Sequence, residues 1–220
     1  IKEDNLTLEY LGRGNDRLTL GSHDRNWFRI KVKQADNEPI LPERPINYFG
    51  RQRFSKNNHK IGKAIIKKDF KRAVELILES EGRQEEQIRR FLEKKPNNYV
   101  GALQKLPKKL LTLYVHAYQS ELFNRMAKDT DKERLPLVGF GTNPDQKTKE
   151  ILKEEGIKPR DFIIRQMPEL SSEGEYRDVV MDVKDFSKEK EEDGWKVTFS
   201  LKKGSYATSL IEQIFRQELS

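Results

Sequence analysis

The chain has 220 residues, with 43 Lys and Arg against 36 Asp and Glu, three His and no Cys. The missing cysteines exclude a disulfide scaffold, a Cys-ligated zinc finger, an iron–sulfur cluster and a thiol nucleophile, and they favour a reducing, cytoplasmic setting. The longest charge-free stretch, residues 110–120, is well below the about 20 apolar residues that span a bilayer, so no membrane partner is expected.

The first 33 residues are predicted to form short strands. Hydrophobic and polar residues alternate in three runs, at residues 6–10, 18–20 and 28–32, and this period is typical of a strand with one buried face. Turn-forming residues lie between the runs, at 12–16 and 21–24, which predicts a small antiparallel meander. The three prolines of residues 34–45 then predict a linker into a different region.

One segment of the chain, residues 51–72, carries the whole excess of positive charge, with nine basic residues and one acid. The predicted phosphate contacts in it are Arg51, Arg53, Lys56, Lys60, Lys63, Lys67 and Lys68. Clustered positive charge with Phe54 and His59 among it favours nucleic acid as the partner. The alternative is a solvated, lysine-rich helix face of a thermostable protein, since Lys and Glu enrichment accompanies heat resistance.

From about residue 46 to residue 156 the apolar residues have helical spacing. Helices are predicted at residues 63–68, from an Asp69 cap to Leu78, at residues 85–93, from Pro107 to about Ala127, and from Asn143 to Gly156. The fourth of these has apolar residues every three or four positions, so one stripe faces a core and His116, Gln119 and Asn124 face elsewhere. Such polar side chains bond to neighbouring loops more often than to RNA.

The last third of the chain returns to strands. Hydrophobic residues alternate from Val179 to Val183 and from Trp195 to Leu201, and residues 187–193 are predicted to form a charged loop between them. A closing helix is predicted after Gly204 and Ser205. Because strands bracket the helices, the predicted fold class is α+β, with a mixed or antiparallel sheet assembled from both ends of the chain and a mostly helical insertion.

Four short motifs occur in order along the chain. They are Asn26-Trp27-Phe28, the octapeptide NYFGRQRF from Asn47, the segment HAYQSELFN from His116, and KGSYATS from Lys203. Together they resemble the tRNA pseudouridine synthase D (TruD) family, with an archaeal character. The resemblance implies a discontinuous catalytic domain, residues 1–43 and 177–220, which is interrupted by an insertion domain at residues 44–176.

The resemblance also implies a reaction, the isomerisation of uridine 13 of tRNA to pseudouridine without a metal or redox cofactor. Tyr206 stands where the family places an active-site aromatic, and Gly204 and Ser205 precede it as substrate-binding residues; the alternative is a core tyrosine. Asn26 and Phe28 resemble the family's Asn-x-Phe motif, in which the aromatic holds the flipped nucleotide and the amide orders the catalytic carboxylate. By composition alone, Phe28 is a core residue.

The chain departs from the family at the nucleophile. The family's aspartate lies in a Gly-x-Lys-Asp-x-x-Ala motif ahead of Asn-x-Phe, and these 220 residues contain no such motif. The Lys-Asp pairs that end at Asp69, Asp129 and Asp185 lack its Gly and Ala. We therefore expect that the aspartate-bearing segment is absent here and that this chain alone is inactive.

Two other hypotheses remain open from the sequence. One is an RNA-binding module of the same family without chemistry, and the other is a structural or protein-binding domain. The three His have no paired spacing, so no metal site is expected. The sequence does not indicate an oligomeric state.

Overall fold

The computed structural model describes residues 2–3, 6–7 and 23–215, apart from the side chains of residues 2–3, 6–7 and 56. Two short strands, β1 (Lys2–Glu3) and β2 (Leu6–Thr7), pair antiparallel. The predicted alternation at residues 8–10 and 18–20, the turn at 12–16 and the side chain of Lys56 lie outside the described residues.

The remaining strands and helices follow in chain order. They are β3 (Arg25–Val32), α1 (Asn58–Ile66), α2 (Phe70–Leu78), α3 (Arg83–Lys94), α4 (Tyr99–Leu103), α5 (Lys108–Ala127), β4 (Arg134–Leu137), α6 (Gln146–Glu155), β5 (Glu175–Asp178), β6 (Val183–Glu191), β7 (Gly194–Lys202) and α7 (Ala207–Phe215). Short 3₁₀ helices cover Arg51–Asn57, Pro159–Phe162 and Pro168–Leu170.

Both ends of the chain contribute to an antiparallel sheet, which confirms the predicted α+β fold class. Its strand order is β3–β7–β6, so the strand from the first part of the chain pairs directly with one from the last part. In the register, Phe28 lies opposite Phe199. One face of this sheet packs against the apolar side of α7, where Leu210 and Ile214 are buried.

The predicted charged loop at residues 187–193 is wrong. β6 begins at Val183, where the predicted strand from Val179 was to end, and residues 179–182 form only an isolated bridge at Val180. β6 continues to Glu191, and a turn at residues 192–193 reverses the chain into β7. The sequence lacks an apolar alternation there because β6 is at the edge of the sheet and its residues 187–190 are exposed. Cross-strand charge pairs such as Glu189 with Lys196 stabilise this edge instead.

The helices enclose a second and larger hydrophobic cluster, and α5 passes through it. Tyr118, Leu122 and Met126 of this helix are fully buried, as its spacing predicts. Phe123, Gln119 and Ser120 lie outside that stripe and are buried as well, so α5 is enclosed on more than the one predicted face. The cap at Asp69 is confirmed, since its carboxylate accepts a hydrogen bond from the Arg72 backbone at 3.0 Å.

Of two other predicted helix boundaries, one is confirmed and the other is wrong. The helix that ends at Gly156 is confirmed, because Asp145 caps its first turn and Gly156 takes a left-handed conformation with φ of 64°. The helix before Asp69 begins at Asn58, five residues earlier than the predicted Lys63. Its first three residues, 58–60, are polar, so no apolar residue marks its start.

Glycine at position 62 permits the close packing of α1 on α5. A Cβ atom there would lie 2.0 Å from the Tyr114 carbonyl oxygen, which belongs to the backbone of α5 and has no rotamer to change. We therefore expect Gly62→Ala to lower the free energy of unfolding by about 1–3 kcal/mol, although alanine has a higher helix propensity than glycine. Urea titration measures this value. Lys60→Ala, at an exposed position of the same helix, is the control and should stay within about 0.5 kcal/mol.

Among the described residues, no helix combines the length and apolar composition that a membrane crossing requires.

Candidate active-site cleft

A cleft of about 620 Å³ opens between α5, the β4–β5 pair and the segment that joins β7 to α7. The cationic side chains that line it are those of Arg53, Arg134, Arg177, Lys202 and Lys203, and the acidic ones are those of Glu173, Glu175, Asp178 and Asp182. Two of these acids are engaged in ion pairs, Asp178 with Arg134 at 3.1 Å and Asp182 with Arg25 at 2.6 Å. The first pair neutralises one charge of each sign in the lining, and the second neutralises an acid of the lining with a base outside it, so a small excess of positive charge remains.

Phe49 joins three of the four sequence motifs at one end of this cleft. The side chain of Asn124 in α5 makes two hydrogen bonds to the Phe49 backbone: it accepts from the N–H at 2.9 Å and donates to the carbonyl at 3.1 Å. The ring of Phe49 contacts Phe123 with 5.6 Å between centroids and Tyr206 with 5.8 Å. Motifs that are far apart in sequence therefore meet around one buried aromatic ring.

Arg177 contacts the same three segments, reaching α5 through the Phe123 ring, whose centre lies 5.5 Å from the guanidinium carbon. Its guanidinium donates to the Asn47 side chain at 2.8 Å and to the Gly204 carbonyl at 3.0 Å, and its central carbon lies 4.1 Å from the Phe49 ring centre. Burial lowers the pKa of Arg177, but an arginine stays protonated in proteins. A cation fixed by several acceptors and an aromatic face is thus a rigid part of the cleft wall.

Tyr206 follows a tight turn at the junction of β7 and α7, as the sequence predicts. Gly204 in this turn has φ of 88°, a conformation that favours glycine, and its carbonyl faces the Arg177 guanidinium. Ser205 lines the cleft, while the half-buried ring of Tyr206 packs on Phe49. Thr208 then donates to Gln52 at 3.4 Å, which ties the start of α7 to the octapeptide.

The Asn-x-Phe motif lies in β3, next to this turn. Arg25 at the start of the strand pairs with Lys202, so the motif begins at the edge of the cleft. The ring of Phe28 is half-buried and contacts Phe199 of the sheet core, with 5.5 Å between centroids. Phe28 and Tyr206 thus have different aromatic partners, one in each hydrophobic cluster.

The basic segment divides between two sides of the molecule. Arg53 lines the cleft, where it donates to Ser120 at 3.3 Å. Lys63, Lys67 and Lys68 instead face the end of α6: Lys63 pairs with Glu155 at 2.8 Å, Lys67 donates to the Glu155 carbonyl, and Lys68 donates to the Asp161 carbonyl. Burial lowers the pKa of Lys68, as expected for an ammonium group that packs within the fold.

The other two predicted phosphate contacts with described side chains, Arg51 and Lys60, differ from these. Arg51 pairs with Glu212 of α7 at 3.0 Å, and Lys60 is exposed on α1. The residues predicted as one RNA-contacting group are therefore not on one surface.

The polar residues of α5 take two roles. Gln119 donates to the Val138 carbonyl at 2.7 Å, and Asn124 fixes Phe49, so both bond to neighbouring loops as their helix positions predict. His116 lines the cleft, and the loss of water there together with the Arg53 charge lowers its pKa. A lower pKa favours the neutral imidazole, which both donates and accepts hydrogen bonds.

The aspartates of the three Lys-Asp pairs make hydrogen bonds within the fold. Asp69 caps α2, the carbonyl of Asp129 accepts from Lys147 at 2.5 Å, and Asp185 accepts from Ser200 at 3.3 Å beside an irregularity in β6. None of these aspartates is among the residues that line the cleft. Over the described part of the chain, no cluster of three or more His, Asp or Glu is arranged to hold a metal ion.

Comparison with known proteins agrees with these motifs. The sequence model of the family described as tRNA pseudouridine synthase D (TruD) matches residues 1–93, 78–139 and 132–214. The chain belongs to the TruD family. A protein of Methanopyrus kandleri named probable tRNA pseudouridine synthase D is 29% identical, over 97% of this chain and 70% of the relative. One of the same name from Thermoplasma acidophilum is 30% identical, over 90% of this chain and 69% of the relative.

A solved structure shows that the TruD fold is shared as well. The crystal structure of the tRNA pseudouridine synthase D from Methanosarcina mazei superposes with a TM-score of 0.79 at 23% identity, over 93% of this chain and 72% of that one. The α+β architecture of this chain is therefore that of a TruD protein.

Proposed function

We propose that this chain provides the tRNA-binding cleft and part of the uridine pocket of a tRNA pseudouridine synthase. The observation that carries the proposal is the convergence of the octapeptide, the α5 motif and the Tyr206 turn on Arg177 and Phe49. Structural stability alone does not require that a basic, partly polar cleft be placed at this junction. The family membership of the chain supports the same reading.

The residues that line the cleft, together with Gly204 and Tyr206 directly beside it, suit an extracted uridine. We assign Tyr206 to pack against the uracil or ribose, with its hydroxyl available for proton transfer, and Ser205 and the Gly204 backbone to bind the nucleotide. We also assign Asn26 and Phe28 to the uridine site; they lie in β3 next to the Tyr206 turn, and neither is among the residues that line the cleft. Arg53 lies beside His116, where it attracts the phosphates that flank the target base.

Isomerisation needs a carboxylate that this chain does not supply in the family's motif. We propose that the 220 residues bind tRNA but do not form pseudouridine by themselves. The alternative is a TruD-family RNA-binding module that has no chemistry in any context. The two differ in whether the product of the whole gene is active.

We propose the three-part division as well, with residues 1–43 and 177–220 as one domain around the insertion of residues 44–176. Its support is that β3 pairs with β7 across the insertion, while α1 to α5 share a separate hydrophobic cluster. We also propose that the protein acts in the cytoplasm, since tRNA is the partner. We further propose that the reaction uses no cofactor.

One experiment tests the function. The 220-residue chain and the product of the whole gene are each incubated with unmodified tRNA, and pseudouridine is mapped along the RNA. We expect pseudouridine from the whole gene product and none from the 220-residue chain, with measurable tRNA binding by both. Binding without product from either one would favour the non-catalytic module. Absence of binding at low salt would favour a structural domain.

Charge reversal at Arg53 tests the RNA-binding side of the cleft. We expect Arg53→Glu to weaken tRNA binding about tenfold or more and to reduce the salt dependence by about one phosphate contact. Filter binding over a range of salt concentrations measures both. Lys94→Glu, an equal charge change at an exposed position outside the cleft lining, is the matched control. Equal weakening by both variants would show that net charge, rather than the cleft, attracts the RNA.

A further inference from the structure

Tyr176 places an exposed aromatic ring in the wall of the cleft. It is 55% exposed, although the short strand β5 that carries it is paired along its length with β4. In the antiparallel register, Tyr176 lies opposite Pro136 and Arg134 lies opposite Asp178. Side chains alternate along a strand, so Tyr176 and Arg134 share one face while Arg177 occupies the other.

We infer that Tyr176 is a stacking platform for an unpaired base of the bound RNA. The guanidinium carbon of Arg134 lies 6.0 Å from the centre of the Tyr176 ring, and Arg134 also donates to the Tyr176 carbonyl at 3.1 Å. The ring is therefore oriented by the strand pairing and by a cation before any ligand binds. Tyrosine rings and arginine planes are the surfaces on which proteins stack exposed bases.

The charges around the ring favour a base over a phosphate. The cation beside the ring, Arg134, is already paired with the Asp178 carboxylate at 3.1 Å. This pairing leaves Arg134 less available to a phosphate. Stacking of an uncharged base on the ring needs no free cation. The inference rests on the proposed function, because it adds to the tRNA-binding cleft a second position that holds a base beside the target uridine.

Binding of tRNA and of a single-stranded uridine oligonucleotide to variants of the chain tests this inference. We expect Tyr176→Ala to weaken binding of the oligonucleotide about tenfold, while the salt dependence stays unchanged because no phosphate contact is lost. Tyr176→Phe keeps the ring and should bind like the unmodified chain. Phe140→Ala removes another exposed aromatic, 43% exposed and outside the cleft lining, and should leave affinity unchanged.

The outcomes distinguish failure of the stacking role of Tyr176 from failure of the proposed function. Normal binding by the unmodified chain together with normal binding by Tyr176→Ala would overturn the stacking role and leave the proposed function intact. A lower salt dependence for Tyr176→Ala, or equal weakening by Phe140→Ala, would also overturn it. If the unmodified chain binds neither RNA, both the proposed function and this inference fail.

Discussion

Replacing Tyr206 with Ala in the product of the whole gene is expected to lower the rate of pseudouridine formation about a hundredfold or more. Proton transfer by a positioned side chain contributes about this much to a rate, and the ring also shapes a site that must exclude water. The affinity for tRNA should change little, since Tyr206 bears no charge and RNA affinity is dominated by phosphate contacts. Single-turnover kinetics and filter binding measure the two effects separately.

A second variant and a stability measurement show which property of Tyr206 causes the loss of rate. Tyr206→Phe keeps the packing on Phe49, so a loss of rate in this variant is assigned to the hydroxyl. Thermal unfolding of all three proteins shows whether the ring acts through stability instead. Equal losses of rate and of affinity in Tyr206→Ala would contradict its assignment to the uridine pocket and favour a core tyrosine.

Replacing Arg177 with Ala is expected to lower the free energy of unfolding by about 2–4 kcal/mol. The substitution removes the hydrogen bonds to the buried Asn47 side chain and to the Gly204 carbonyl, and it also removes the cation from the Phe49 ring. Arg177→Lys should recover only part of the loss, because an ammonium group lacks the planar fork. Denaturant titration measures the free energies.

The matched control for Arg177→Ala is Arg165→Ala, at an exposed position. Its free energy of unfolding should stay within about 0.5 kcal/mol of that of the unmodified chain. We also expect Arg177→Ala to weaken tRNA binding under conditions where it remains folded, since the turn before Tyr206 loses its anchor. A stability like that of Arg165→Ala would show that Arg177 does not join the three segments.

The architecture was predictable where burial imposes a period on the sequence. The alternation in β3 and β7, the apolar stripe of α5 and the caps at Asp69 and Asp145 all follow from local physics. The exposed edge strand β6 has no such period, and short β4 is too brief to show one. The sequence therefore does not predict β4, its partner β5 or the full extent of β6.

The cleft was predictable only in part, for a different reason. The motifs located Phe49, His116 and Tyr206, but their meeting point is a tertiary property. Arg177 lies in a polar stretch without a periodic or motif signal, and only the fold brings it to Asn47 and Gly204. Similarly, charge counting cannot show that Lys68 turns toward Asp161 while Arg53 turns into the cleft.

The central claim, that the target uridine enters the cleft beside Arg177 and Phe49, is tested most directly by photocrosslinking. A tRNA with 4-thiouridine at the position that the whole gene product modifies is bound to the protein and irradiated, and the crosslinked peptides are identified. We predict crosslinks to the turn at residues 203–209 or to the cleft strand at residues 174–178. Crosslinks confined to α6 and the facing lysines of α1 would contradict the account.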